Sequence, residues 1–206
     1  MSFGERTLKD FSENLASRDA VPGGGGAAAL VGAAGAALGC MVANLTIGKA
    51  KYAEHEDELK ILLDKCNKIR LELIACIDKD AQVFEPLARA YRIPKDNPEK
   101  VVAMEGALKG ACAVPLEIMA KCCLAIECCR EFAEKGSAMA LSDAASGAVF
   151  CKAALEGASL NVFINTKSMA DRIYAYETDK AAEGMLKKYR PIADEAFTKA
   201  MERLRG

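Results

Sequence analysis

Apolar positions recur at helical spacing along nearly the whole chain. Leu8, Phe11 and Leu15 mark a first amphipathic helix, closed by the turn residues around Pro22. A second helix is expected in the uncharged segment 20–48, where Leu30, Val31, Leu38, Met41, Val42, Leu45 and Ile47 keep that spacing. From residue 53 to 91 the series Leu59, Leu62, Leu63, Cys66, Ile69, Leu73, Ile77, Ala81 and Phe84 repeats roughly every 3.6 residues. At ~1.5 Å per residue this third helix exceeds about 50 Å and needs long partners. The prolines of "RIPKDNPEK" end it; a fourth helix follows over residues 98–134, bent near Pro115. A fifth runs from "LSD" to about residue 171, and a sixth covers roughly the last 28 residues. No stretch alternates with β-branched residues, so the expected fold is all-α. It is a multihelical bundle of about six helices, two of them very long, forming one domain over residues 1–206.

Composition narrows the partners. With 206 residues, 51% of them apolar and 28% charged, the chain is a globule large enough to bury a core. Its 28 basic and 29 acidic side chains leave no field for nucleic acid or an acidic membrane surface, and neither partner is expected. The uncharged segment 20–48 is long enough to span a bilayer. Gly and Ala dominate it, however, and Pro22 with four glycines interrupts its start, so a buried helix of a soluble protein is expected. The first twenty residues hold Glu5, Arg6, Lys9, Asp10 and Glu13 with no apolar core, which does not resemble a secretory signal.

Nine cysteines without an export signal point to a reducing, cytoplasmic compartment. In "KCCLAIECCREF", Cys122, Cys123, Cys128 and Cys129 contain no pair at helical i,i+3 or i,i+4 spacing. Cys122 and Cys129 would lie about 10 Å apart along the axis. They are expected to pack as small hydrophobes. A single histidine, His55, excludes a histidine triad or a multi-histidine metal site by count.

The glycines at 23–26 raise the question of a phosphate loop. A dinucleotide fingerprint needs a strand before its glycines, and "TLKDFSENLASRD" reads as helix. The Walker pattern needs Gly and Ser or Thr where this chain has Ala43 and Ala50 around Gly48-Lys49. What remains is that Gly23, Gly24 and Gly25 present backbone N–H groups at a helix start. Two rows of small residues, Ala28-Gly32-Ala36 and Gly35-Gly39-Ala43, admit another helix or a flat ligand.

Several polar residues sit where chemistry is conceivable. Asp78 and Asp80, two apart on a helix, point about 200° away from each other, so at most one faces a pocket. Ser142-Asp143 opens a helix, where Ser commonly serves as N-cap. Asn161 and Asn165 share a face of "SLNVFIN" and must find partners in backbone, a second subunit or a ligand. Lys49 and Lys51 suit a helix C-terminus or an anionic ligand. Tyr52 suits ring stacking or packing on the third helix.

Four blocks, "PGGGGAAALVGAAGAALGCMVANLTIGKAKY", "CIDKDAQVFEPLARAYRIPK", "ACAVPLEIM" and "LSDAASGAVFCKAALEGASLNVFIN", resemble in order and spacing the signatures of the cyclodeaminase/cyclohydrolase family. That family includes the cyclodeaminase part of formiminotransferase-cyclodeaminase and stand-alone methenyltetrahydrofolate cyclohydrolases. The resemblance spans about residues 11–171. Gly26 stands where the family usually has Ser, and Ala50 where a second Lys is frequent. The resemblance implies an all-helical homodimer that acts on the one-carbon bridge between N5 and N10 of tetrahydrofolate, without metal or redox cofactor. Cyclodeamination of 5-formiminotetrahydrofolate is the first expectation; hydrolysis of the methenyl bridge to 10-formyltetrahydrofolate is the alternative, and a non-catalytic helical scaffold the reading from another class. Asp80 and Asp143 are the implied acid and base. Gly23, Gly24, Gly25, Ser142, Asn161 and Asn165 would hold the pterin, Tyr52 would meet the aminobenzoyl ring, and Lys49 with Lys51 would anchor a polyglutamylated tail.

Overall fold

The computed structural model describes residues 2–206, which form six α-helices and no strand. These are α1 (Leu8–Leu15), α2 (Gly24–Asn44), α3 (Glu56–Arg92), α4 (Glu99–Lys135), α5 (Leu141–Lys167) and α6 (Arg172–Arg205). Single 3-10 segments, Ala50–His55 and Ala138–Ala140, precede α3 and α5. The all-α expectation holds, with one change of proportion. Helix α6, at 34 residues, nearly matches the 37 residues of α3 and α4, so three helices rather than two are very long.

Helix α2 is the centre, packed by α3, α4 and α5. Its buried side is the small one: Ala28, Gly32, Gly35, Ala36, Gly39 and Ala43 all lie inside. Of the large residues whose spacing announced the helix, Val31, Met41 and Leu45 are exposed, while Val42 is buried. The reason is distance. At the α2–α5 crossing, a Cβ added to Gly35 would sit 2.7 Å from the Gly147 carbonyl oxygen, and one on Gly147 would sit 2.8 Å from that of Gly35. The two backbones touch, and only glycine fits. Neighbouring contacts of Gly32 with Ala154 and of Gly157 with Ala28 make the pair antiparallel.

Thiols fill the gaps that the small rows leave. All nine cysteines are free and buried. The Cys151 thiol donates to the Gly32 carbonyl (3.7 Å) and the Cys66 thiol to that of Ala36 (3.3 Å). Burial pushes the Cys76 and Cys112 thiols up to about 11 and Cys123 up to about 12, the state of packing groups rather than nucleophiles.

Helix α2 and the segment Ala138–Lys167 are each long and apolar enough to cross a membrane, yet 61% of the α2 stretch is inside the protein. Helix α1 is short; Thr7 caps it by accepting from the Asp10 N–H, and only Phe11 is buried, Leu8 and Leu15 being exposed. The N-terminal segment is pinned to α3 by Asp78, whose carboxylate accepts from the Ser2 hydroxyl (2.5 Å), the Phe3 N–H (2.6 Å) and the Gly4 N–H (3.3 Å).

Candidate active site

Asp80 faces the opposite way from Asp78, as the 200° separation requires, and meets the first turn of α2. That turn has three N–H groups without an intrahelical carbonyl. The Gly26 N–H donates to Asp80 Oδ2 at 2.9 Å, Gly25 is buried against that carboxylate, and Gly24 lies exposed at the helix start. The approach is close enough to forbid a side chain. A Cβ on Gly25 would lie 2.2 Å from Asp80 Oδ1 and 2.5 Å from its Cγ. Burial raises the Asp80 carboxyl above the ordinary carboxylate range, and the Gly26 N–H opposes this only in part. A carboxylate so placed is a stronger proton acceptor than one in water.

Around it lies a cavity of about 230 Å³ lined by Gly23, Gly24, Asp80, Phe84, Asn161 and Asn165, with Ala20, Val21, Val83, Ala111, Pro115 and Ile164 completing the wall. Each helix supplies its part by helical spacing. Val83 and Phe84 follow Asp80 by three and four residues on α3; Ile164 and Asn165 follow Asn161 by three and four on α5. On α4, Pro115 has no N–H to give the Ala111 carbonyl one turn earlier. Asn165 Nδ2 takes that carbonyl at 3.3 Å and the Asn161 carbonyl at 2.8 Å. Asn161 Nδ2 donates to the Gly157 carbonyl at 3.0 Å. Both N–H groups of the Asn165 amide and one of Asn161's are thus spent on backbone, which leaves the two Oδ1 atoms as acceptors and one Asn161 N–H as a donor. The cavity offers apolar walls, amide acceptors, the helix-start backbone of Gly23 and Gly24, and one group able to move a proton. No Lys, Arg or His lines it.

Within one chain the structure brings together Gly23, Gly24, Gly25, Asp80, Asn161 and Asn165. It does not bring the other expected residues there. Lys49, Lys51 and Tyr52 follow the far end of α2, about 30 Å from Gly24 at 1.5 Å per residue. Ser142 and Asp143 open α5, about 27 Å from Asn161. Of these five, Tyr52 reaches toward the start of α5, where its Oη accepts from the Ala138 N–H at 3.2 Å. That N–H, and the Ser137 hydroxyl after it, hold the Tyr52 phenol below its usual value. Ser142 is not an N-cap; α5 begins at Leu141 and Ser142 lies exposed in its first turn. Lys49 and Lys51 are exposed, and no carboxylate pairs with either among the described residues.

Sequence reasoning missed the Gly26 amide, Phe84, Pro115 and Ile164. The helical neighbours of Asp80 and Asn161 would have found Phe84 and Ile164. An unpaired carbonyl four residues before Pro115 was the signal for Asn165. Among the described residues no three His, Cys, Asp or Glu side chains are grouped to hold a metal ion.

Comparison with known proteins adds to this geometry. Residues 7–184 match the formiminotransferase-cyclodeaminase family. The chain is 42% identical to a methenyltetrahydrofolate cyclohydrolase from Methylorubrum extorquens over 89% of its own length and 90% of that protein. It is 32% identical to the formimidoyltransferase-cyclodeaminase of Gallus gallus over 89% of this chain; it spans 35% of that longer protein. The fold matches the crystal structure of formiminotetrahydrofolate cyclodeaminase from Thermotoga maritima with a TM-score of 0.84 and 27% identity, covering 96% of this chain and 98% of that one.

Proposed function

The chain belongs to the formiminotransferase-cyclodeaminase family, and from that premise we propose that its cavity handles the carbon bridging N5 and N10 of tetrahydrofolate, with Asp80 as the proton-transfer group. The observation that carries this reading is a single desolvated carboxylate, held by a helix-start amide, at the wall of a cavity with free acceptors for a pterin edge. Full-length likeness to a stand-alone cyclohydrolase puts hydrolysis of 5,10-methenyltetrahydrofolate first.

In that reaction Asp80 accepts a proton from water as the oxygen attacks the bridging carbon. A tetrahedral carbon results. Its hydroxyl proton leaves to solvent as the carbonyl forms, the C–N5 bond breaks, and Asp80 returns its proton to N5. The product is 10-formyltetrahydrofolate. Asn161 and Asn165 accept from the pterin's N–H groups, and Phe84 packs on the ring. A general acid or base so positioned contributes roughly 10²- to 10⁴-fold.

A second reading is sustained by the fold match to a stand-alone cyclodeaminase. There the formimino group enters protonated; Asp80 takes the N10 proton as that nitrogen attacks the formimino carbon, and passes it to the resulting amine, which departs as ammonia and leaves the methenyl cation. Either reaction runs, in this proposal, without metal or redox cofactor, in a cytoplasmic homodimer, on a folate whose polyglutamate tail Lys49 and Lys51 hold. Incubating the purified protein separately with 5-formimino- and 5,10-methenyltetrahydrofolate, while following methenyl absorbance and ammonia, distinguishes them. Loss of methenyl absorbance without ammonia is expected; turnover of neither folate would reject the proposal.

A further inference from the structure

Asn165 is held in a way that Asn161 is not. Its Nδ2 donates one N–H across to the Ala111 carbonyl of α4 at 3.3 Å and the other to the Asn161 carbonyl one turn back on α5 at 2.8 Å. An amide has two N–H groups, so none is left for the cavity. Turning the amide over would set its Oδ1 against two carbonyl oxygens with no proton between them, and that orientation is closed. Asn161 donates to the Gly157 carbonyl at 3.0 Å and, among the described residues, its second N–H has no partner. The cavity wall therefore carries one amide that can only accept and one that can do either.

The Ala111 carbonyl is free to do this because of Pro115. In an unbroken helix the N–H four residues on would take it, and proline has none. Proline in the interior of a helix is the least favourable residue for that helix, and α4 carries it near the middle of 37 residues. Two other prolines lie inside helices, Pro86 on α3 and Pro191 on α6. Both are exposed, as are Gln82 and Lys187 four residues before them, so water can serve the carbonyls left over there. Pro115 and Ala111 are buried, where an unpaired carbonyl is costly, and both line the cavity with Asn165. Among the described residues this is the one helix-interior proline whose freed carbonyl goes to a side chain of the site.

We propose that Pro115 is a positioning residue for ligand recognition: by withholding an N–H from Ala111 it fixes Asn165 as an acceptor-only group, matched to a ring N–H of the ligand and closed to a ring edge that presents an acceptor there. The proposal deepens the folate reading above and rests on it for the identity of the ring. Replacing Pro115 by a residue with an N–H gives the Ala111 carbonyl its own helical donor, which competes with Asn165 and lets that amide turn.

The clamp is tested first without ligand. In proton-nitrogen spectra of the labelled wild-type protein, with the Asn165 side-chain pair identified by its loss in Asn165→Ala, those protons should exchange with water far more slowly than the pair of exposed Asn67. Equally fast exchange would overturn the proposal. In Pro115→Ala the exchange at Asn165 should quicken by about 10-fold. Pro115→Ser restores the same N–H with a different side chain, so the test survives if one variant fails to fold. Kinetics on whichever folate the wild type turns over supply the second readout. Each Pro115 variant should raise KM about 3- to 10-fold with kcat within about 2-fold of wild type, and Asn165→Ala should raise KM about 10-fold. The double variant Pro115→Ala/Asn165→Ala should be no worse than Asn165→Ala alone, because the proline acts through the amide. Additive losses, or Pro115 variants with wild-type KM and wild-type exchange at Asn165, would show that the proline serves the helix alone and would overturn the proposal. A wild-type protein inactive on both folates would instead reject the functional reading, and the exchange measurements would still decide the clamp.

Discussion

Gly25→Ala asks whether the contact between the start of α2 and Asp80 sets the rate. The added methyl would stand 2.2, 2.5 and 2.6 Å from Asp80 Oδ1, Cγ and Oδ2, so three contacts must open together. Restoring ordinary contact moves the carboxylate by about 1 Å or turns it to another rotamer, and a misplacement of that size near the reacting atoms costs about 10²-fold in rate. The same movement breaks the 2.9 Å bond from the Gly26 N–H. A hydrogen bond to a charged group is worth about 1.5–3 kcal/mol, and replacing helical Gly by Ala returns up to about 1 kcal/mol. Stability should therefore fall modestly while turnover collapses. The assay is the initial rate of methenyl absorbance loss, with thermal unfolding in parallel. Gly106→Ala, where nothing lies within 4 Å of the new methyl, is the control and should behave as wild type. A folded Gly25→Ala enzyme with wild-type kcat would refute the claim that this carboxylate's position matters.

Asp80→Asn should raise the melting temperature at neutral pH. Burial raises the folded-state value of this carboxyl, so any stability it confers is complete below the ordinary carboxylate range and is lost as pH rises through the raised value; at neutral pH its charge is a cost that Asn removes. The gain should vanish in melts at low pH. Asp78 behaves oppositely. Burial pushes it up, but the Ser2 hydroxyl and the Phe3 and Gly4 N–H groups outweigh that and hold it below the ordinary range. Its stabilisation is present above the ordinary value and is lost as pH falls through the depressed one, and Asp78→Ala should lower the melting temperature at neutral pH and expose the N-terminal segment to protease. Native protein treated with a maleimide should lose almost no free thiols until denaturant is added; rapid labelling of several would contradict the packed-thiol core. Dialysis against EDTA should leave turnover unchanged, whereas a loss reversed by zinc or magnesium would show that a metal takes part.

Helix number and order were legible because long apolar repeats leave little choice of period. The inside of α2 was not. Spacing alone marks Leu38, Met41 and Ala36 equally as one helix, and only the backbone contact at Gly35 and Gly147 decides that the small residues go inward. Asp80 could be told from Asp78 only as one of two opposed carboxylates; the N-terminal segment that occupies Asp78 lies far from it in sequence. Asn161 and Asn165 were visible as amides on an apolar face, but their fixed orientation depends on a carbonyl released by Pro115 on another helix. The distance from Lys49 and Asp143 to the cavity was hidden for a plainer reason. Motif order along the chain does not say at which end of a bundle a residue lies.

The central claim is that Asp80 moves the proton at the bridging carbon, and the turnover number of Asp80→Asn under saturating 5,10-methenyltetrahydrofolate measures it most directly. Asn keeps the shape and can still accept from the Gly26 N–H, so folding and binding should persist. The account predicts a kcat lowered by about 10²- to 10⁴-fold; an Asp80→Asn enzyme turning over at the wild-type rate would contradict it.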